Sequence, residues 1–449
     1  MLKGQVNDKV GLWPMVSLVT GNLVGSGVYL LPAALAVYGT VSLFGWVITS
    51  IGAILLSLVF AQLSARLPKT GGPYLYAREA FGDTVGYYIC WGYWMLSWIS
   101  NPTLAIAAVG YISVVYGELN PWTNFFLEFT ILASFTMFNL LGLKITGRAE
   151  LFITTLKVLP LLIVPLIGIF FVNIDNFSHV NTSGLSFGSA LNAVAFLTLW
   201  GFVGLETGTV PAGQVYNASK TVPQATVIGT TIAAVIYILG TVVVMGVVSP
   251  QDLASSDAPY ADAAEAIFGG RWGTPVAVAA IITCLGSLNG WLIVVGRIPY
   301  GAAHDGLFPE IFKRKTRHGT PYWGVLISSL CTIPFLFMSI QNTLLEQFQF
   351  IVDIAVTLIL LVYTVSVLAY FKFLWKEKSY SLIHILLGLG ALTFSLWALW
   401  AASLKMVGLS LILLILGVPM HIWMKKRKVL SLCESVLRKD AKLKGASQE

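Results

Sequence analysis

The sequence predicts an all-α integral membrane protein with twelve transmembrane helices. Of its 449 residues, 57% are hydrophobic and only 10% are charged, whereas a soluble domain carries roughly 25% charged residues. The mean hydropathy of +0.81 is spread over the whole chain. Apolar runs of the length that crosses a hydrocarbon core, about 20 residues, recur from end to end. Two of these runs are interrupted by glycines.

The apolar runs also divide the chain into segments. They begin near residues 11, 41, 84, 122, 149, 189, 223, 272, 321, 347, 381 and 405. The first run has no small-residue cleavage site, so we expect it to remain as a span. The predicted organisation is an N-terminal segment at 1–10, a ten-helix core at 11–373, helices 11 and 12 at 381–425, and a basic tail at 426–449.

The positive charges predict the orientation. With a cytoplasmic N-terminus, 24 of the 27 lysines and arginines fall in inner segments. Only Arg271 and Lys405 lie outside, and Lys157 falls within a span. The positive-inside rule therefore predicts that both termini are cytoplasmic, in a bacterial inner membrane. This placement explains the net charge of +7 as a topology signal and argues against nucleic acid as a partner.

The motifs that would indicate an enzyme are missing from the sequence. There is no H-E-x-x-H, no G-x-S-x-G and no P-loop, so neither a hydrolase nor direct ATP drive is indicated. The four cysteines have no C-x-x-C spacing, and they predict neither a zinc site nor a disulfide framework. They are Cys90, Cys284, Cys331 and Cys433. We expect no catalytic residue, no metal and no cofactor.

Glycines interrupt the first and sixth spans at matching places. Span 1 contains G-N-L-V-G-S-G and span 6 contains W-G-F-V-G-L-E-T-G. Interrupted helices at positions one and six indicate a five-plus-five inverted repeat with a substrate site at the unwound midpoints. Unwound backbone at membrane depth is tolerated only where it lines a cavity or binds something. The glycines are Gly21, Gly25, Gly27, Gly201, Gly204 and Gly208.

The interruptions also predict which groups the substrate carries. The half-helix that begins near Ser26 presents free N–H groups and the positive end of a helix dipole, which suit a carboxylate. The freed carbonyl groups near Trp200 and Val203 suit an ammonium group. A substrate with both groups is an amino acid.

These motifs, together with D-G-L-F-P at 305–309, resemble those of the amino acid, polyamine and organocation (APC) transporter superfamily. The chain looks most similar to its basic amino acid/polyamine antiporter family, which includes arginine/agmatine antiporters. The resemblance runs from about Val10 to the end of span 10. It implies the LeuT-like twelve-span fold, alternating access between two gates, and homodimers in many members.

The resemblance also implies site residues. Ser26 and Gly27 would bind the substrate carboxylate, and the carbonyl groups of Leu23, Trp200 and Val203 would bind its ammonium. The side-chain pocket would consist of Leu96, Ser97, Asn101, Leu104 and Trp291. Trp200 and Trp291 would also act in gating, and the inner gate would consist of Tyr93, Glu206 and Tyr363.

Three residues depart from the arginine/agmatine pattern. Lys157 resembles the lysine that replaces sodium in sodium-independent members of the superfamily, so Lys157 and Glu206 are candidates for proton coupling. Asp353 stands where the relative has a small polar residue, and Ala355 replaces a pocket serine. Asp353 is either a counter-ion for a terminal amine or the partner of a neighbouring span.

The expected function is secondary active transport of amino acids, with a cationic amino acid exchanged for a polyamine or a related amino acid. The alternative is a sodium-independent, proton-coupled symporter, or a neutral amino acid exchanger, of the same fold. The expected partners are these small substrates, the lipid bilayer and a second copy of the chain.

Overall fold

The computed structural model describes residues 10–141, 161–378 and 381–427, and in these ranges the protein is helical. The one β-feature there is an isolated bridge between Val10 and Val215. Lys157, the predicted start of span 5 and most of the basic tail lie outside the described residues.

Named helices follow one another in the described ranges, and a last helical stretch at 418–427 comes after them. In chain order they are α1 (Leu12–Leu23), α2 (Ser26–Ala36), α3 (Val41–Arg66), α4 (Pro73–Phe81), α5 (Asp83–Ile99), α6 (Asn101–Tyr116), α7 (Pro121–Leu140), α8 (Leu161–Phe171), α9 (Phe187–Leu199), α10 (Ala218–Val247), α11 (Pro250–Ala254), α12 (Pro259–Phe268), α13 (Gly273–His304), α14 (Tyr322–Leu336), α15 (Leu344–Lys376), α16 (Leu382–Ala401) and α17 (Leu404–Ile415). Short 3₁₀ turns join several of them.

Ten helical segments in the described ranges are long and apolar enough to cross a membrane, which makes this a multi-pass membrane protein. Helix α7, with 20 residues, and the shorter α8 are further apolar helices. Twelve spans and the inverted repeat therefore stay predictions, whereas the all-helical membrane architecture is observed.

The helix of the first span is interrupted between α1 and α2. Val24 is extended, with φ −78° and ψ 95°, and Gly25 leaves the helical region, with φ −138° and ψ −137°. A Cβ atom on Gly25 would lie 3.2 Å from Leu104. The missing side chain at this position therefore lets α6 approach the interruption closely.

The span that starts with α9 becomes irregular after Leu199. A 3₁₀ turn at Trp200–Phe202 is followed by Val203 in an extended conformation and by further 3₁₀ turns. Gly204 has φ +114°, in the left-handed region that side chains other than glycine rarely adopt. This glycine is therefore the point at which the chain can leave the helical path.

Two helix groups surround the interruptions. Helix α10 packs extensively on α1 and α3, and α13 packs on α5 and α6. Helices α16 and α17 lie at the periphery, where large apolar side chains such as Leu404 and Trp400 are exposed. An exposed apolar surface of this kind faces lipid in a membrane protein, so the interrupted helices form the inside of the bundle.

Candidate functional site

A small enclosed cavity lies where the two interrupted spans meet. Its volume is about 20 Å³, which is room for about one water molecule. The cavity is therefore closed around the place where a substrate would sit. Its lining residues are Asn22, Leu23, Gly25, Ser26, Gly27, Ser100, Leu104, Trp200, Val203 and Trp291.

Seven residues that were expected to bind substrate line this cavity: Leu23, Ser26, Gly27, Leu104, Trp200, Val203 and Trp291. Leu96, Ser97, Asn101 and Ala355 are buried but are not part of its lining. Asn22 and Ser100 line it without having been predicted. Both are polar residues inside an apolar run, and this signal could have identified them.

The N-terminus of α2 points its first N–H groups at the interruption. The first N–H groups of a helix have no partner inside it. The hydroxyl group of Ser26 donates a 3.2 Å hydrogen bond to Thr103 Oγ1 of α6. A Cβ atom on Gly27 would lie 3.0 Å from Trp200 Cδ1. The absence of a side chain at Gly27 therefore leaves the backbone accessible to a small anionic group.

Two of the three carbonyl groups expected to bind the ammonium, those of Leu23 and Trp200, already accept hydrogen bonds. Tyr237 Oη donates to the Leu23 carbonyl at 2.8 Å, and the Val203 N–H donates to the Trp200 carbonyl at 3.2 Å. A carbonyl oxygen has two lone pairs and can accept a second donor. An ammonium group would therefore add to these hydrogen bonds and need not replace them.

Asn101, at the first turn of α6, is fully buried, and within the described part of the chain neither its amide nitrogen nor its amide oxygen has a hydrogen-bond partner. Leaving a buried amide unpaired costs about 1–3 kcal/mol per group. Ser97, the other predicted polar residue here, donates instead to the Tyr93 carbonyl at 2.6 Å. Of Asn101 and Ser97, only Asn101 therefore has side-chain donors and acceptors that are unpaired within the described residues.

The three residues expected to form the inner gate lie together. Tyr93 Oη donates to Glu206 Oε1 at 2.8 Å, and Tyr363 Oη donates to Glu206 Oε2 at 2.6 Å. Glu206 is fully buried, and each of its two carboxylate oxygens accepts a hydrogen bond from one of these tyrosines. The hydrogen bonds join α5 and α15 to the irregular segment that follows α9.

Asp353 lies apart from the central cavity. Its side chain in α15 is half-buried and does not line the cavity. Tyr38 lies between α2 and α3. Burial raises the pKa of its phenol, and the negative charge of Asp353 raises this pKa further. Asp353 therefore lies near Tyr38, just beyond the end of α2.

A buried carboxyl group that sequence reasoning missed is Glu128 of α7. It is fully buried and accepts a 3.3 Å hydrogen bond from Gln347 Nε2 of α15. A buried glutamate opposite a buried glutamine could have been found only with the pairing of α7 and α15 known.

Comparison with known proteins places the chain in a transporter family. A model of the amino acid permease family matches residues 10–426. A cadaverine/lysine antiporter of Escherichia coli is 34% identical over 376 residues, covering 81% of this chain and 84% of that protein. A putative arginine/ornithine antiporter of Bacillus subtilis is 32% identical over 405 residues, covering 83% and 86%. A putrescine transporter of Haemophilus influenzae is 33% identical over 414 residues, covering 88% and 92%. With its multi-pass helical fold and its interrupted helices around one central cavity, the chain belongs to the amino acid permease family.

Proposed function

We propose that this protein is a secondary transporter that exchanges a cationic amino acid for a polyamine or a second amino acid. The observation that carries the proposal is the enclosed cavity between the interruptions, with the N-terminus of α2 on one side and free carbonyl lone pairs near Trp200 on the other. These groups match the carboxylate and the ammonium of an α-amino acid. The names of the relatives support the substrate class.

The proposed mechanism is alternating access around this fixed site. Glu206, held by Tyr93 and Tyr363, closes one side of the cavity, and Trp200 closes the other. Trp291 lies over the substrate, where a cation–π contact with its amine is worth about 2 kcal/mol when desolvated. One gate must stay closed while the other opens. If the empty protein changes slowly between its outward-open and inward-open states, it returns mainly with a substrate bound, and transport becomes exchange.

Asp353 supports a cationic substrate. A carboxylate near the outer end of the first span attracts an amine on the approach path, although it does not line the closed cavity. Asn101 is proposed to pair with the substrate side chain once the cavity opens. Both roles apply to an open conformation in which the central cavity is larger than in this structure.

The proposed membrane is the bacterial inner membrane, with both termini cytoplasmic. The end of the bundle that carries Arg66, Arg78 and the 313–317 cluster, called the basic end below, would then face the cytoplasm under the positive-inside rule. The exposed apolar faces of α16 and α17 are the proposed contacts of a homodimer.

Transport by the purified protein in proteoliposomes tests this function. Labelled lysine, arginine, ornithine and leucine are added outside vesicles that are empty or that contain lysine, ornithine or cadaverine. We expect a cationic substrate to enter only preloaded vesicles. Uptake into empty vesicles that rises with an inward proton gradient would instead establish symport, with Glu206 and Lys157 as the coupling candidates. Exchange of leucine alone would establish a neutral amino acid exchanger.

A further inference from the structure

A second and much larger cavity opens at the basic end of the bundle. Its volume is about 370 Å³, enough for an amino acid with its water. It lies between the segment before α4, the end of the irregular span after α9, and the end of α13. The polar residues of its lining are Thr70, Tyr74, Gln214, Arg297, Tyr300, His304, Asp305 and Lys315.

The larger cavity adjoins the segment that carries Glu206. Val210, which lines the larger cavity, follows Glu206 by one turn of chain. The Gly71 N–H donates to the Val210 carbonyl at 3.2 Å, which fixes the cavity wall to that segment. A substrate that passes the proposed gate on this side would therefore enter the larger cavity.

The acid of the cavity already has a cationic partner, which neutralises part of its charge. Asp305 Oδ2 lies 3.3 Å from Arg78 Nη1 and accepts a 3.0 Å hydrogen bond from Tyr74 Oη. Arg78 also pairs with Asp83 at 2.8 Å, so two carboxylates share one guanidinium group. This cluster ties α4 to the end of α13 and weakens the attraction of Asp305 for a further cation.

Two cations of the cavity have no such neutralisation. Arg297, half-buried in α13, forms no ion pair with the described part of the chain. Lys315 likewise pairs with no acid there and lies over the ring of Tyr300, with its nitrogen 4.4 Å from the centroid. His304 packs against the same ring. The cavity is therefore positive, with a guanidinium group available for an anion.

We propose that Arg297 forms a carboxylate-binding site in this cavity, which takes the carboxylate of an amino acid on its way through the basic end. The inference rests on the proposed exchange function and specifies its substrate class. A guanidinium group matches a carboxylate with two parallel hydrogen bonds. A diamine has no carboxylate and is repelled by Arg297 and Lys315. The site therefore favours an amino acid over its decarboxylated amine on this face.

Lysine and cadaverine provide a matched pair of probes, since they differ only by the carboxylate. In inverted membrane vesicles, in which the cytoplasmic face is outside, each is tested as the counter-substrate for labelled lysine held inside. For Arg297→Gln we expect the half-saturating concentration of lysine to rise about tenfold, as for loss of one charge-assisted hydrogen-bonded pair. The value for cadaverine should stay unchanged or fall. Whole cells, which present the other face, should show no change for either probe.

Arg317→Gln is the matched control, because Arg317 lies in the exposed basic cluster outside the cavity lining. Arg297→Lys keeps the charge and should recover part of the lysine affinity. Lys315→Gln should shift lysine in the same direction by a smaller factor, and it gives a second route to the answer if Arg297→Gln does not fold.

The outcomes separate the two proposals. If the unaltered protein exchanges neither probe, the proposed function fails. If it exchanges both and Arg297→Gln shifts them equally or not at all, the carboxylate site is refuted. Proteoliposomes with and without phosphatidylglycerol distinguish the carboxylate of an amino acid from the phosphate of a lipid headgroup. If Arg297→Gln has an effect only in vesicles that contain this anionic lipid, the site binds lipid phosphate and the carboxylate proposal is overturned.

Discussion

Tyr363 of α15 donates a 2.6 Å hydrogen bond to Glu206, the buried carboxylate one turn beyond the interruption after α9. A hydrogen bond to a charged acceptor contributes about 1.5–3 kcal/mol. Together with Tyr93 it holds the Glu206 side chain to α5 and α15. In the proposed gate, the strength of these hydrogen bonds should decide how tightly transport is coupled.

Tyr363→Phe removes one of the two donors to Glu206 and keeps the ring. We expect exchange to fall roughly tenfold and uptake into empty vesicles to appear, since the closed gate loses one charge-assisted hydrogen bond. Proteoliposome counterflow measures both quantities. Tyr370→Phe is the control, because Tyr370 is on the same helix and its hydroxyl donates to the His384 carbonyl, away from the gate. Tight one-for-one exchange in Tyr363→Phe would remove the gate assignment.

Gly27→Ala places a methyl group against the Trp200 ring, 3.0 Å from Cδ1. The methyl group also covers the backbone that is proposed to bind the carboxylate. We expect the half-saturating substrate concentration to rise at least about tenfold, as for loss of about 1.4 kcal/mol of binding. Gly188→Ala is the control, since no atom lies within 4 Å of a Cβ atom there. Equal affinity in the two variants would contradict this placement of the substrate.

Asn101→Ala removes an amide whose two polar atoms have no partner in the closed structure. Because no hydrogen bond is lost, thermal stability should stay the same or rise, whereas substrate affinity should fall roughly fivefold, as for one neutral hydrogen bond. Asn139→Ala should give the opposite pattern, since the Asn139 amide donates to the Asn289 carbonyl at 3.4 Å. Thermal unfolding in detergent and substrate counterflow measure the two effects. Loss of stability without loss of affinity in Asn101→Ala would make Asn101 a structural residue.

Asp353→Asn removes a negative charge near Tyr38, just beyond the end of α2. We expect uptake of lysine and ornithine to weaken about three- to fivefold, while uptake of a neutral competitor stays the same, because only the cationic side chain is attracted by the carboxylate. Asp175→Asn, an exposed change between α8 and α9, is the control. Salt should reduce the Asp353 effect if the attraction acts over a distance. Equal losses for cationic and neutral substrates would eliminate the counter-ion role.

The sequence predicted the neighbours of Glu206 better than the lining of the central cavity. Glu206 stands out as an acid inside an apolar span, and its expected partners Tyr93 and Tyr363 are the residues that donate to it. For the pocket, the glycine interruptions identified Ser26, Gly27, Trp200 and Val203. They could not identify Ser100, which lines the cavity in place of Ser97. These two serines are three residues apart, and the face of the helix that looks inward depends on how α5 and α6 pack.

By itself, the sequence determined that this chain is a multi-pass helical membrane protein with paired interruptions in its first and sixth spans. Apolar length and glycine placement are local properties, and a bilayer imposes helices on any segment that crosses it. Only the tertiary structure decided that Glu128 meets Gln347, that Asp353 lies outside the closed cavity, and that Arg297 faces a second cavity with no acid partner among the described residues. Those relationships join helices far apart in the chain, where packing and not local pattern sets the distance between two charges.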